Sequence, residues 1–406
     1  MISFERMEYI NKLVTDYGIE KACDIEQLPE QTILDYLSRY ERILNEDNEI
    51  VVANVKLNKS RQRLMDSNRI ERKSFRNYAR IDNALEELTK ELITVFKNHK
   101  LKGLTKYHKT ENQKGVGIIH LSDLHLNELV WLSHNRYDFN IASKRMQKFA
   151  IEIKAMFRNA GFKTVFIADT GDKLNSDRRL DELLSNATNR SQAQFIAIEI
   201  LKQFIIDIAQ EFNVVYSFVL GNESRVKDEM SWDEFSATDS YDYNIVHILK
   251  IIFENEKGVI FVEPETPNKT VVNVNGKNIL LIHGIKFGND PHKAVKSLVR
   301  LYADKGVCID YVLFGHIHEA MLTDKFSRGS SLVGANAYSE DSLLLTSLAS
   351  QNIHFIFNNG DINSLRIDLQ NTDGIAGYEI SKKIKAYNAK SAKKNIDKKV
   401  IFEIVT

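Results

Sequence analysis

At 406 residues, with 43% hydrophobic and 27% charged residues, the chain has room for one large domain and a smaller appendage of ordinary globular composition. Its 55 basic and 55 acidic residues balance, so net charge excludes no partner and only local clustering is informative. Two cysteines, Cys23 and Cys308, rule out a disulfide framework; no apolar run approaches the ~20 residues that span a bilayer, and MISFERMEYI lacks the basic-then-apolar order of a secretory signal, so no membrane association and a cytoplasmic location are expected.

Residues 1–110 carry almost no strand signal. Ile33, Leu37, Tyr40 and Leu44 recur at helical spacing, as do Ile81, Leu85, Leu88, Leu92 and Val95, which predicts two amphipathic helices. Upstream, residues 18–40 read as a faint helix-turn-helix, with a turn around Leu28-Pro29 and a second helix from Gln31. It lacks the usual turn glycine, and Glu26, Glu30 and Asp35 would repel a phosphate backbone. Residues 56–80 hold nine basic residues, among them Arg69, Arg72 and Arg76, against Asp66 and Glu71, a local charge of +7 interleaved with Phe75 and Tyr78. That pattern suits a nucleic-acid backbone, where neutralised phosphates release counterions. The bland alternatives are a solvated helix face and a dimerisation arm through the 81–95 stripe.

From Gly115 apolar runs alternate with amphipathic stretches, the pattern of an α/β domain. Strands are predicted at 115–122, 164–170, 214–220, 278–283 and 309–315, with more β pattern at 342–358. Helices are predicted near 143–160, 190–212, 241–255 and 291–305. The expected organisation is a helical domain over 1–110, an α/β domain over 111–370 and a lysine-rich tail over 371–406.

Each of the five strands ends in a polar cluster, and ligands of open α/β sheets bind at the carboxyl ends of strands. The clusters are Asp123-Leu-His125, Gly171-Asp172, Gly221-Asn222-Glu223, His283-Gly284 and Gly315-His316-Ile317-His318. Carboxylate, imidazole and amide donors together suit Mn²⁺, Fe²⁺ or Zn²⁺ better than Ca²⁺, which prefers oxygen alone. His120 reads as a packed strand residue, and His99, His108, His247 and His354 have no companion ligands.

Over residues 115–320 this order of motifs resembles the calcineurin-like metallophosphoesterase superfamily, whose pattern is D-x-H, G-D, G-N-H, H and G-H-x-H. The resemblance implies a calcineurin-like β-sandwich flanked by helices and two divalent ions, Mn²⁺ foremost. It implies one ion on Asp123, His125 and His318, the other on Asn222, His283 and His316, and Asp172 bridging them. Paired cations polarise a phosphoryl oxygen and acidify a water, so no serine or cysteine nucleophile is required, and Cys308 is expected to be a core residue. The whole chain also resembles the DNA-repair-exonuclease-like phosphoesterases of large bacteriophages, through residues 68–88, the GNESR loop and RGSSLVGANAYS (328–339); a phage-encoded chain would work in the host cytoplasm.

One departure stands out. Where the superfamily has a histidine after G-N, this chain has Glu223. Glu223 could act as a general acid, face a metal, or be structural. Arg225 is a candidate phosphate clamp. His134, in the loop SHNRYDF with Asn135, Arg136 and Tyr137, and His292, in GNDPHK, are candidates for the missing acid. Gly334, Ala335 and Asn336 are expected to turn beside the site. The function expected is metal-dependent hydrolysis of DNA phosphodiester bonds. The rivals are a phosphatase or nucleotide phosphodiesterase with a small substrate, and a DNA-binding or regulatory protein with a weakly active metal core.

Overall fold

The computed structural model describes residues 2–43, 104–227, 237–288, 290–336, 339–340 and 347–380. The basic segment 56–80, the 81–95 stripe, Leu44, His99 and the lysine-rich stretch from 381 lie outside the described residues. The chain divides into two compact units, Met1–Glu91 and Leu92–Thr406. Among the described residues no helix is long and apolar enough to cross a membrane.

In the first unit, Ser3 caps the helix Phe4–Tyr17, its hydroxyl accepting from the Arg6 amide, and Met7, Ile10 and Leu13 line the buried stripe. The helix Ile19–Glu26 ends on left-handed Gln27, and helical structure resumes at residues 30–43, with Ile33 and Tyr40 buried and Tyr40 packed on Phe4 at 5.2 Å between ring centroids.

The second unit is mixed α/β. Six strands form one sheet in the order β13(Ile362–Asp368), β12(Ser350–Phe357), β1(Gly115–Leu121), β4(Thr164–Asp169), β5(Asn213–Phe218), β6(Val259–Phe261). Within it β1, β4, β5 and β6 run parallel. Five form a second sheet in the order β10(Met321–Leu322), β11(Phe326–Arg328), β9(Tyr311–Phe314), β8(Lys277–Ile282), β7(Lys269–Val274), where β8 and β9 are parallel. A small ribbon pairs β2(Val130–Trp131) with β3(Arg136–Tyr137).

Residue alternation assigns the faces. Ile119, Leu121, Val165, Ile167, Val214 and Tyr216 join the cluster built with the helices Phe139–Asn159, Arg190–Ala209 and Tyr241–Ile252. Their neighbours Ile118, Phe166, Ala168 and Val219 point the other way and share an apolar layer with Ile279, Leu281, Tyr311 and Leu313 of the second sheet. Strands buried on both faces read as continuous apolar runs, which is why five of them were visible in the sequence. The helix Pro291–Ala303 covers the far face of the second sheet through Val295 and Tyr302. Residues 371–380 dock on the helical layer, where Gly377 donates to Gln147 and Tyr378 to Asp207.

Cys308 departs from expectation: it is exposed. The strand begins only at Tyr311, so Cys308 belongs to the loop before it, where its carbonyl accepts from the Asn278 side chain. His120 and His354 are fully buried, as a packed reading of strand histidines requires.

Candidate metal centre

The parallel strands β1, β4 and β5 of one sheet and β8 and β9 of the other carry the five polar clusters at their carboxyl ends, and backbone bonds bring those ends together. Asp123 and His125 donate to the Gly171 and Asp172 carbonyls, Thr170 to Leu121, Gly315 to His283, and Leu332 to Asp123. The His316 amide donates to both carboxylate oxygens of Asp123, at 3.1 and 3.0 Å. Two groups result, Asp123–His125–His318 and Asp172–His283–His316, each with donor atoms within 4.8 Å of one another. Asn222 joins the second, its Oδ1 2.9 Å from His283 Nε2.

The local backbone is unusual. Asp123, His125, Asp172, His316 and His318 all have positive φ, between 40° and 76°. Left-handed backbone at a residue with a Cβ costs on the order of 1–3 kcal/mol and persists only where the surroundings over-determine it. Five such residues where the strand ends of the two sheets meet indicate a conformation selected for where the side chains point.

The donor set fits a cation. His125 and His318 aim their Nε2 atoms at each other across 3.1 Å, with His318 Nε2 also 3.4 Å from Asp123 Oδ1. His283 donates Nδ1–H to the Thr170 carbonyl at 2.7 Å, which leaves Nε2 as the inward donor, 2.9 Å from Asp172 Oδ2. His125 Nδ1 is buried and makes no hydrogen bond, and Asp172 Oδ2 is buried with the His283 imidazole as its neighbour. Converging imidazole nitrogens and buried carboxylate oxygens are what a divalent ion satisfies.

The electrostatics agree. Burial opposes ionisation of Asp123 and Asp172, yet the surrounding imidazoles hold both carboxyls below the usual range, His318 acting most on Asp123 and His283 on Asp172. Burial and His318 push His125 down to about 4, and burial and His283 do the same to His316. His283 and His318 are the exceptions: against burial, Asp172 holds His283 up at about 10 and Asp123 raises His318, so protons sit where cations would. The ionised carboxylates and the neutral His125 and His316 are already in the states that ligation demands, and a cation would displace the protons of the other two.

Glu223 lies at this centre. Its amide donates to Asp172 Oδ1 at 2.6 Å, its Oε1 accepts from Asn222 Nδ2 at 2.8 Å, and its Oε2 is 3.9 Å from Arg178 Nη2. Burial, then Asp172 and Glu182, raise its carboxyl above the ordinary range. Arg225 turns back on its own loop, donating to the carbonyls of Asn222 at 2.5 Å and Lys227 at 3.1 Å. Neither candidate histidine joins a cluster. His134 lies 2.7 Å from the Glu340 carboxylate, and His292 is exposed with its ring 4.9 Å from Phe326.

The fold supplies groups that no motif announced. Arg178 and Arg190 both donate to the carbonyls of Glu223 and Arg225, clasping the GNESR loop. Glu128 is buried, accepts from Asn336 Nδ2 at 2.7 Å, and is pushed up to about 7 by burial. Arg145, fully buried, donates to the Leu332 and Val333 carbonyls and to Asn135, tying the helix Phe139–Asn159 to the loop after His318. Gly334, with φ 71°, and Asn336 belong to that loop.

No family model matches the chain, and no curated protein matches it. Solved structures similar to it include Vps29 of Entamoeba histolytica complexed with zinc, with 15% identity, 62% of this chain and 99% of that one covered, and a TM-score of 0.27. Vps29 of Chaetomium thermophilum gives 10%, 62%, 97% and 0.29. A predicted phosphoesterase of Streptococcus pneumoniae gives 15%, 62%, 97% and 0.23. Likenesses this distant carry no conclusion about activity.

Proposed function

We propose that the chain is a calcineurin-like phosphoesterase, its two sheets forming the sandwich of that class, that hydrolyses phosphodiester bonds with two divalent ions, and that DNA is its substrate. The observation that carries this reading is the pairing of Asp123–His125–His318 with Asp172–His283–His316 where strand ends of the two sheets meet. Asn222 would complete the second set, and Asp172 would be available to both. Divalent cations held there would polarise a phosphoryl oxygen and acidify a water near neutral pH.

The chain's own residues do the rest. His283 is fixed in one tautomer by Thr170, and the Asp172 carboxylate is fixed by the Glu223 amide. Glu223 stands where the class has its histidine, beside Asn222 and Asp172, and is the candidate to protonate the leaving oxygen. A diester is favoured over a monoester because the groups added around the clusters include two carboxyls, Glu128 and Glu223, while Arg178 and Arg225 are engaged with backbone carbonyls. A dianionic monoester needs added positive charge there. DNA, as opposed to a small diester, is supported by the +7 segment at 56–80.

The test is hydrolysis of bis-p-nitrophenyl phosphate and of labelled single- and double-stranded DNA with Mn²⁺, by wild type, His283→Ala, and a full-length Arg69→Gln/Arg72→Gln/Arg76→Gln variant. Metal-dependent cleavage of both substrates, lost in His283→Ala and selectively weakened on DNA in the triple variant, is expected. Cleavage of the small ester without DNA would move the substrate to nucleotides.

A further inference from the structure

We infer that Asp242 is a positioning residue that locks the two loops carrying Asp172 and Asn222 into one unit, and so sets the affinity of the second cation position; this rests on the metal reading above. Asp242 is fully buried in the first turn of the helix Tyr241–Ile252, a place where the helix dipole favours a carboxylate. Its Oδ2 accepts from the Asp172 amide at 2.9 Å and the Gly221 amide at 3.0 Å, and its Oδ1 from the Lys173 amide at 2.9 Å. One side chain therefore receives three backbone N–H groups from two loops, each donor distant in sequence.

The geometry explains why those amides point at it. Asp172 has φ 59°, and a left-handed residue turns successive N–H groups to the same side, forming a concavity that takes an anion. The protein fills that concavity with its own carboxylate. The buried Lys173 ammonium, 3.8 Å from Oδ1 and 2.7 Å from Asp169 Oδ2, offsets the charge. Gly221 packs against the Asp172 carboxylate, and the next residue, Asn222, places Oδ1 2.9 Å from His283 Nε2. Releasing Asp242 thus lets Asp172 and Asn222 drift relative to His283. Ser224 adds a second tie to the same loops, exchanging hydrogen bonds with Leu174 at 3.0 and 3.1 Å.

Groups that hold ligands in place change metal affinity by ~10–100-fold when removed. The experiment compares full-length wild type, Asp242→Asn and Ser240→Ala. Ser240 caps the same helix through the Asp242 amide, so its loss weakens the helix start but leaves the carboxylate in place. Hydrogen exchange of the metal-free proteins reads the clamp, and Mn²⁺ titration reads its consequence. Asp242→Asn is expected to raise exchange in 169–175 and 219–224 and to weaken one of two Mn²⁺ steps ~10–100-fold. Ser240→Ala is expected to lower the melting temperature with both steps intact. Unchanged exchange in Asp242→Asn, or equal Mn²⁺ loss in the two variants at matched destabilisation, would overturn the inference. Wild type that takes up no Mn²⁺ would overturn the metal reading itself, a result seen before any variant is compared.

Discussion

Replacing Gly221 with alanine drives a methyl group into the Asp172 carboxylate. A Cβ built there meets Asp172 Oδ1 at 2.1 Å, its amide nitrogen at 2.4 Å and its Cγ at 2.5 Å. The carboxylate must retreat by roughly 1 Å to reach ordinary contact, whereas metal–ligand distances tolerate only about 0.2 Å. Gly221 is not in the left-handed region, so alanine brings no backbone penalty and the effect isolates the steric one. The cost to the metal-free fold is that of overpacking, about 1–3 kcal/mol. Loss at one Mn²⁺ step should reach at least ~100-fold, the upper range for displaced ligands. Calorimetric Mn²⁺ titration with thermal melts of wild type and Gly221→Ala measures both. Two wild-type Mn²⁺ affinities in the variant would refute the claim that Asp172 ligates from its observed position.

Three further outcomes are expected. Glu223→Gln keeps the side chain's size but removes its proton, so turnover of substrates with poor leaving groups falls ~10²–10⁴-fold while p-nitrophenyl esters, which need no acid, change little; equal rates on both would remove Glu223 as the acid. Metal-free stability should peak near pH 6.5. His283, raised to about 10, gives stability that is complete below its unfolded value and is lost as pH climbs toward 10, at up to ~1.4 kcal/mol per pH unit. On the acid side, His120, His125, His316 and His354 stay neutral while the unfolded chain takes up protons, so stability falls below 6.5, offset in part by Glu128, whose carboxyl is raised to about 7 and favours the folded state as pH drops. Urea midpoints across pH 5–9 check this, and a missing alkaline limb contradicts the His283–Asp172 pair. Phe157→Ala, which empties a position among Phe162, Phe212 and Phe355, should cost ~3–5 kcal/mol in urea denaturation without changing Mn²⁺ affinity.

The sequence made the site's inner residues legible because each follows an apolar run, and parallel strands deliver their carboxyl ends to one edge. GVGIIHL, TVFIAD and YVLF are buried on both faces and declare themselves. Lys269–Val274 and Ile362–Asp368 are partly exposed and polar at alternate positions, so their strand character emerges only from pairing with β8 and β12. Cys308 misled because lacking a nucleophilic role does not bury a residue, and it falls in the loop before β9. Asp242 and Arg190 sit in segments with no motif; their roles exist only once a helix start is brought against loops 20 to 70 residues away. The positive φ at five cluster residues is equally silent, since Asp and His advertise no backbone preference as glycine does.

The central claim is that the meeting strand ends of the two sheets hold two divalent ions on the named residues. Crystals soaked in Mn²⁺ and measured at its absorption edge test it most directly. Two anomalous peaks about 3.5–4 Å apart, one against Asp123, His125 and His318 and the other against Asn222, His283 and His316 with Asp172 touching both, are predicted. A single peak, or none at these residues, would contradict the account.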